Sequence, residues 1–198
     1  MPGMTSFEIA GAILSVIAVW LTVRQNSLCW PIGIVSVIIY SWIYFTARLY
    51  ADSGLQLIYV VLQFYGWYAW AYGGANRTEL AVSRIPGRRL AVVLAAGVVG
   101  AVLLGTFLRR NTDASLPYLD ATTTSFSLVA QWMQTRKWIE TWILWIIVDI
   151  VYVGMLIYKK LNVTAGLYGL FIVLAIAGLI QWRKAMANPA VQVTAGAA

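Results

Sequence analysis

Seven mostly apolar stretches follow one another along the chain, separated by short clusters of Arg, Lys, Asn, Gly and Pro. They cover residues 6–23, 28–46, 55–72, 89–108, 118–134, 138–158 and 161–182. A membrane-crossing helix needs about 20 mostly apolar residues, so each stretch is predicted to be one. Only the connection at 73–88 is longer than about a dozen residues, which leaves no room for a separate soluble domain. The first stretch does not read as a cleavable leader. No cation precedes it in residues 1–7, and no small-residue cleavage site follows before Arg24.

Composition removes the alternative of a buried-core soluble protein. Of 198 residues, 61% are hydrophobic and 11% charged, against about 25% charged in soluble domains. The chain has no His and a single cysteine, Cys29. That excludes an intrachain disulfide, a CxxC centre, a His-ligated metal or haem and any His-based triad. Net charge is +7, yet the cations stand in ones and twos at the ends of apolar runs. No nucleic-acid-binding stripe forms. Five cations (Arg48, Arg109, Arg110, Lys159, Lys160) fall in the loops on the N-terminal side. Nine (Arg24, Arg77, Arg84, Arg88, Arg89, Arg136, Lys137, Arg183, Lys184) fall on the other. The positive-inside rule then predicts an external N-terminus and a cytoplasmic C-terminus.

The chain also repeats itself. Shifted by 112 residues, Trp20 meets Trp132, Arg24 meets Arg136, Trp30 meets Trp142 and Tyr40 meets Tyr152. Gly54 meets Gly166, Gly66 meets Gly178 and Trp70 meets Trp182. In all, 15 of the 62 positions from Ile9 to Trp70 are identical. Shared hydrophobic composition produces chance Leu and Val matches, but not three Trp pairs and two Gly pairs in register. Four crossings separate equivalent residues, so the copies point the same way. The expected architecture is an all-α membrane protein of seven helices, arranged as two parallel three-helix repeats joined by a linker helix. Its divisions are a first repeat at 1–72, a loop and linker at 73–115, a second repeat at 116–184 and a flexible tail at 185–198. Parallel repeats of this kind are a transporter architecture, with the substrate site expected at the midplane between them.

Polar residues inside apolar spans are costly and mark function. On the fifth stretch, Asp120, Thr123, Thr124, Ser127, Gln131 and Gln134 recur at helical spacing and share a face. The sixth carries Trp138, Trp142, Trp145, Asp149 and Tyr152, the third Gln56, Tyr59, Gln63, Gly66 and Trp70, and the second Asn26, Trp30, Gly33, Tyr40 and Tyr44. The fourth has only Thr106 as a neutral polar residue and suits a linker facing lipid or another subunit. Plainer readings apply to some of these residues. Thr122, Ser125 and Gly166 suit helix packing and hydroxyl bonds one turn back, and Trp20, Trp132 and Trp182 an interfacial belt. Asp120 suits a watery outer mouth. Asp149, near mid-span, resists such a reading. Indole and phenol faces stack on flat heterocycles and attract cations, a carboxylate neutralises charge, and Gln and Ser bond polar substituents. The candidate binding set is Gln56, Tyr59, Gln63, Ser127, Gln131, Trp142, Trp145, Asp149 and Tyr152. Its expected partner is a small, flat, cationic heterocycle. No cofactor or metal is expected.

The run Leu49-Tyr50-Ala51, then Leu55-Gln56, then Tyr65-Gly66-Trp67-Tyr68-Ala69-Trp70 resembles the nicotinamide riboside transporter (PnuC) family. So does Thr135-Arg136-Lys137-(x)2-Glu140-(x)-Trp142-(x)2-Trp145, which follows Asp120 and the Ser127-Leu128-Val129-Ala130 segment. The resemblance spans roughly residues 24–182. It implies a SWEET-like bundle, commonly trimeric, and facilitated diffusion of a vitamin precursor across the bacterial inner membrane. Gln56, Tyr59, Trp142 and Trp145 fall within the matching motifs. Asp149 and Ala177 stand where riboside carriers tend to have Asn, which keeps a thiamine carrier of the same superfamily open as an alternative. A membrane-embedded enzyme would need a nucleophile with a base or a metal site, and a non-transporting scaffold needs no polar midplane. Coupling of transport to an ion stays open, with Asp149 as the group able to carry a proton.

Overall fold

A computed structural model of the chain describes residues 6–46, 50–112 and 116–187. Arg48 of the cation count, Leu49 of the family motif and most of the predicted tail lie outside the described residues. Seven α-helices follow in order: α1 (Ser6–Val23), α2 (Cys29–Thr46), α3 (Tyr50–Tyr72), α4 (Gly87–Asn111), α5 (Pro117–Thr135), α6 (Glu140–Tyr158) and α7 (Asn162–Ala187). The hydropathy pattern anticipates all seven. The largest departures are α3, which begins five residues earlier than expected, and α7, which runs five residues beyond Trp182. The added turn of α3 carries Asp52, an acid placed favourably at a helix N-terminus. Proline marks two starts: Pro86 precedes α4 and Pro117 opens α5, where a missing N–H costs nothing.

Helices α1, α2, α4, α6 and α7 are long and apolar enough to cross a membrane, with mean hydropathies of 1.9, 1.5, 2.5, 2.0 and 2.3. At 1.5 Å per residue, the 23 residues of α3 and 19 of α5 reach about 34 and 28 Å, also enough to cross. Their polar and aromatic stripes lower their hydropathy. Large apolar side chains such as Phe7, Trp42, Val61, Leu103 and Val173 are exposed, as lipid would require.

The chain divides into two compact units. One comprises residues 1–82, 135–137 and 180–198. Its helices are joined by hydroxyl bonds. Ser36 Oγ donates to the Gly11 carbonyl (3.0 Å) and pairs with Ser15 Oγ (2.8 Å), while Ser53 Oγ donates to the Ser41 carbonyl (3.0 Å). Its core is aromatic. Trp30 meets Trp70 edge-on at 5.2 Å between ring centroids, Trp70 lies 5.9 Å from Trp182, and Trp182 Nε1 donates to the Thr22 carbonyl at 3.2 Å. Trp182 is therefore fully buried and not an interfacial belt residue, whereas Trp20 is exposed as a belt residue would be. A residue near a helix end shows the same sequence pattern in either place.

The second unit comprises residues 83–134 and 138–179. Here α4 is packed through small residues spaced four apart. Gly97, Ala101 and Gly105 are buried; Gly97 lies against the Phe126 ring and Gly105 against the Tyr118 ring of α5. Ser125 Oγ donates to the Gly97 carbonyl at 2.8 Å, so it bonds a neighbouring helix rather than its own preceding turn. Thr122 does bond one turn back, to the Tyr118 carbonyl. No described atom lies within 4 Å of a Cβ built on Gly166, so the close packing expected there is not found. Ile85, Ala130, Met133, Leu144 and Val148 form the core of this unit.

The 112-residue offset recurs in backbone geometry. Gln25 and Lys137, equivalent under it, both adopt left-handed conformations (φ 58° and 48°). In each case the following residue's N–H reaches back to a carbonyl five residues earlier, Asn26 to Leu21 (3.0 Å) and Trp138 to Met133 (3.2 Å). This closes the helix in the Schellman manner. Downstream, Cys29 N–H to Asn26 O matches Thr141 N–H to Trp138 O, and Trp30 N–H to Ser27 O matches Trp142 N–H to Ile139 O.

Candidate functional site

In the second unit, helical spacing aligns Trp142, Trp145, Asp149 and Tyr152 along α6. Trp142 is 1% exposed and its ring lies flat on Gly178 of α7, where a methyl group would collide with it. Trp145 is half-buried and its Nε1 donates to Gln134 Oε1 of α5 at 3.0 Å. Tyr152 packs on Tyr168 of α7, ring centroids 4.9 Å apart, and its hydroxyl faces the α5 side of the stripe, toward Thr123, Thr124 and Ser127. Between Trp145 and Tyr152, as the tenth of the 19 residues of α6, stands Asp149. It is 4% exposed and has no hydrogen-bond or ion-pair partner among the described residues.

Two hydroxyls of the α5 stripe are already committed. Ser127 Oγ donates to the Thr123 carbonyl (2.7 Å), and Thr123 Oγ1 is shared between the carbonyls of Leu119 (3.1 Å) and Asp120 (3.0 Å). A hydroxyl has one proton, so what these side chains still offer is lone pairs. Together with the Asp149 carboxylate, they make the face between α5 and α6 rich in acceptors. The cations nearest in sequence stand at the helix ends. One of them, Lys159, pairs with Asp120 at 3.4 Å, both side chains about a third exposed. Asp120 thus meets a cation at a partly wet rim.

Of the sequence candidates, Ser127, Gln131, Trp145, Asp149 and Tyr152 lie on these facing stripes. Ser127, Gln131 and Asp149 are buried. Trp142 lies on the same stripe and is also buried against Gly178, so it packs α6 on α7. Gln56, Tyr59 and Gln63 belong to α3 in the first unit. Gln56 and Tyr59 are half-buried, and Gln63 is buried with its amide against bare Gly33. Sequence reasoning did not single out Tyr168 or Glu140's local role. Glu140 Oε2 accepts the Ile85 N–H at 3.0 Å and holds the incoming loop against the start of α6. The signal for Tyr168 was available, since it is the 112-residue counterpart of Gln56.

Lys137 is a buried cation in the first unit, outside the helices. It is 4% exposed and its Nζ lies 4.4 Å from the Trp70 ring centroid. Burial pushes its ammonium down to about 8, opposed by the charge of Glu79. A hollow of about 270 Å³ on α3, lined by Phe64, Trp67, Tyr68, Ala71 and Tyr72, is mostly aromatic and comes from a single helix.

A multi-helix membrane protein with a polar and aromatic face, a carboxylate at mid-helix and an apolar exterior is of the solute-carrier class. Residues 5–184 match the family described as Nicotinamide mononucleotide transporter, and the chain belongs to that family, one of membrane transporters rather than enzymes. The chain is 24% identical over 201 residues to the nicotinamide riboside transporter PnuC of Escherichia coli K12, covering 88% of this chain and 84% of that one. It is 30% identical over 164 residues to the PnuC protein of Neisseria mucosa, covering 77% of this chain and 62% of that relative. The riboflavin/roseoflavin transporter RibM of Streptomyces davaonensis is 24% identical over 178 residues, with 88% and 83% covered. The crystal structure of the vitamin B3 transporter PnuC superposes with a TM-score of 0.70 at 27% identity, covering 88% of this chain and 79% of that chain.

Proposed function

We propose that this chain mediates facilitated diffusion of nicotinamide riboside, or a closely related vitamin precursor, across a bacterial inner membrane. The observation that carries the reading is the acceptor-rich aromatic face of α5 and α6, with Asp149 buried at its middle, in a chain of this family. A pyridinium riboside is flat and cationic, and its hydroxyl and amide groups donate hydrogen bonds. Trp142, Trp145 and Tyr152 supply ring faces, and Ser127 and Gln131 supply polar contacts; Gln56, Tyr59 and Gln63 of α3 are proposed binding residues in their own right. Thiamine, also a flat cation, is the second reading and fits the carboxylate equally well. Riboflavin, carried by one relative, has no positive charge for Asp149 to balance.

The two three-helix repeats with α4 as linker, an external N-terminus, a cytoplasmic C-terminus and a trimeric assembly belong to the same proposal. The orientation rests on the nine-to-five cation bias. Uptake of labelled nicotinamide riboside, thiamine and riboflavin into proteoliposomes tests the substrate. Saturable riboside uptake without an imposed ion gradient is expected, and saturable uptake of thiamine alone would replace the riboside reading. Ser6→Cys in a Cys29→Thr background, labelled from outside by an impermeant thiol reagent, tests the orientation.

A further inference from the structure

We infer that Asp149 is a specificity-determining residue that makes this carrier select cationic heterocycles over neutral ones of the same shape. The inference rests on the small-heterocycle reading above. Its first support is the state of the carboxylate itself: 4% exposed, at the middle of α6, with no partner among the described residues. A buried charge that serves the fold is normally paired, because leaving it unpaired is strongly destabilising. Asp149 has no such pairing to account for its presence.

The second support comes from the repeat. Under the 112-residue offset, which preserves three backbone hydrogen bonds of the turn before each helix, the counterpart of Asp149 is Val37 on α2. Val37 is half-buried in an equivalent helix, so this local helical frame accepts an apolar side chain at the position. The carboxylate is an addition to one copy.

The third is the company it keeps. One turn to either side are Trp145 and Tyr152, whose rings attract positive charge through their faces. Ser127 and Thr123 on α5 are committed as donors and offer lone pairs. No Lys or Arg occurs between Pro117 and Thr135 on α5, or between Glu140 and Tyr158 on α6. An added positive charge meets attraction from every one of these groups, while a neutral ring leaves the carboxylate desolvated and unbalanced.

Two matched pairs test this: nicotinamide riboside with neutral benzamide riboside, and thiamine with neutral 3-deazathiamine. Binding is measured on purified wild type, Asp149→Asn and Asp149→Val, with thermal unfolding reporting that each variant is folded. Wild type should prefer the cation of whichever pair it binds by tenfold or more. Asp149→Asn should lose at least tenfold for the cation and keep its affinity for the neutral partner within about twofold. Asp149→Val should bind the two alike. Unchanged cation affinity in a folded Asp149→Asn overturns the inference while leaving the riboside reading standing, as does an equal loss for both members of a pair. Binding of the thiamine pair alone, with the expected charge preference, overturns the riboside reading and supports the role of Asp149. Binding of neither pair overturns both.

Discussion

In the first three helices Trp30 lies on Gly66 and the Tyr40 ring on bare Gly11; in the last three Trp142 lies on Gly178 and Tyr152 faces Thr123. Every pair is related by 112 residues. Between those shared contacts the chemistry is exchanged. Gln63 fills the space above Gly33, but the counterparts of these two residues are Ala175 and Trp145. Val37 is replaced by Asp149 and Gln56 by Tyr168. A bulky tryptophan seated on a glycine sets how closely two helices approach, and that distance must be kept in both copies. The residues one turn away carry no such burden, so one copy could fill its space with an amide while the other gained an indole and a carboxylate.

The strongest way to break the equivalence is at the shared contacts. Trp30→Ala and Trp142→Ala should each destabilise the protein by about 3–5 kcal/mol, the range for truncating a buried large aromatic. Chemical denaturation of the two purified variants measures it. A small loss at Trp142 alone, with weakened substrate binding, would show that this indole acts on the substrate more than on the packing. Next in size is the buried cation that has no equivalent in the other copy, since Gln25 stands in its place. The Lys137 ammonium is held at about 8 against an ordinary 10.5. The unfolded chain therefore binds more protons between those values, and stability should rise with pH across that window, by up to about 3 kcal/mol. Lys137→Met should flatten the rise; an equally steep profile in the variant would assign it to other groups.

Trp145→Ala sharpens the contrast with Trp142. Half-buried and hydrogen-bonded at its edge, Trp145 should cost about 0.5–2 kcal/mol of substrate affinity while the protein stays folded. Calorimetry with nicotinamide riboside reads the loss, and unchanged affinity would make this indole a packing residue too. The smallest effect is expected at Gln25, whose φ of 58° suits glycine. Gln25→Gly should leave stability unchanged or raise it by up to about 1 kcal/mol. A clear loss would show that the Gln25 side chain has a role the turn alone does not require.

Much of the architecture was legible in order and spacing. Seven helices follow from the lengths of the apolar runs, because lipid leaves no other way to satisfy a buried backbone. The repeat, the family motifs and the stripe holding Asp149 are also properties of spacing along one chain. What needed tertiary structure was the allocation of each residue within a stripe. Helical periodicity gives a shared face but not what lies opposite it, so Trp142, Trp145 and Trp182 looked alike. Their separation into a packing residue, an edge-bonded indole and a buried anchor depends on Gly178, on Gln134 and on the Thr22 carbonyl, distant in sequence. The small residues of α4 were equally mute, since Gly97 and Gly105 have no chemistry until Phe126 and Tyr118 close on them. The sequence by itself determined which segments cross, where they turn and which residue types face together. Only the tertiary structure decided which side chains are spent on holding helices and which are left over, because a hydrogen bond or a van der Waals contact is made by a partner that sequence spacing does not name.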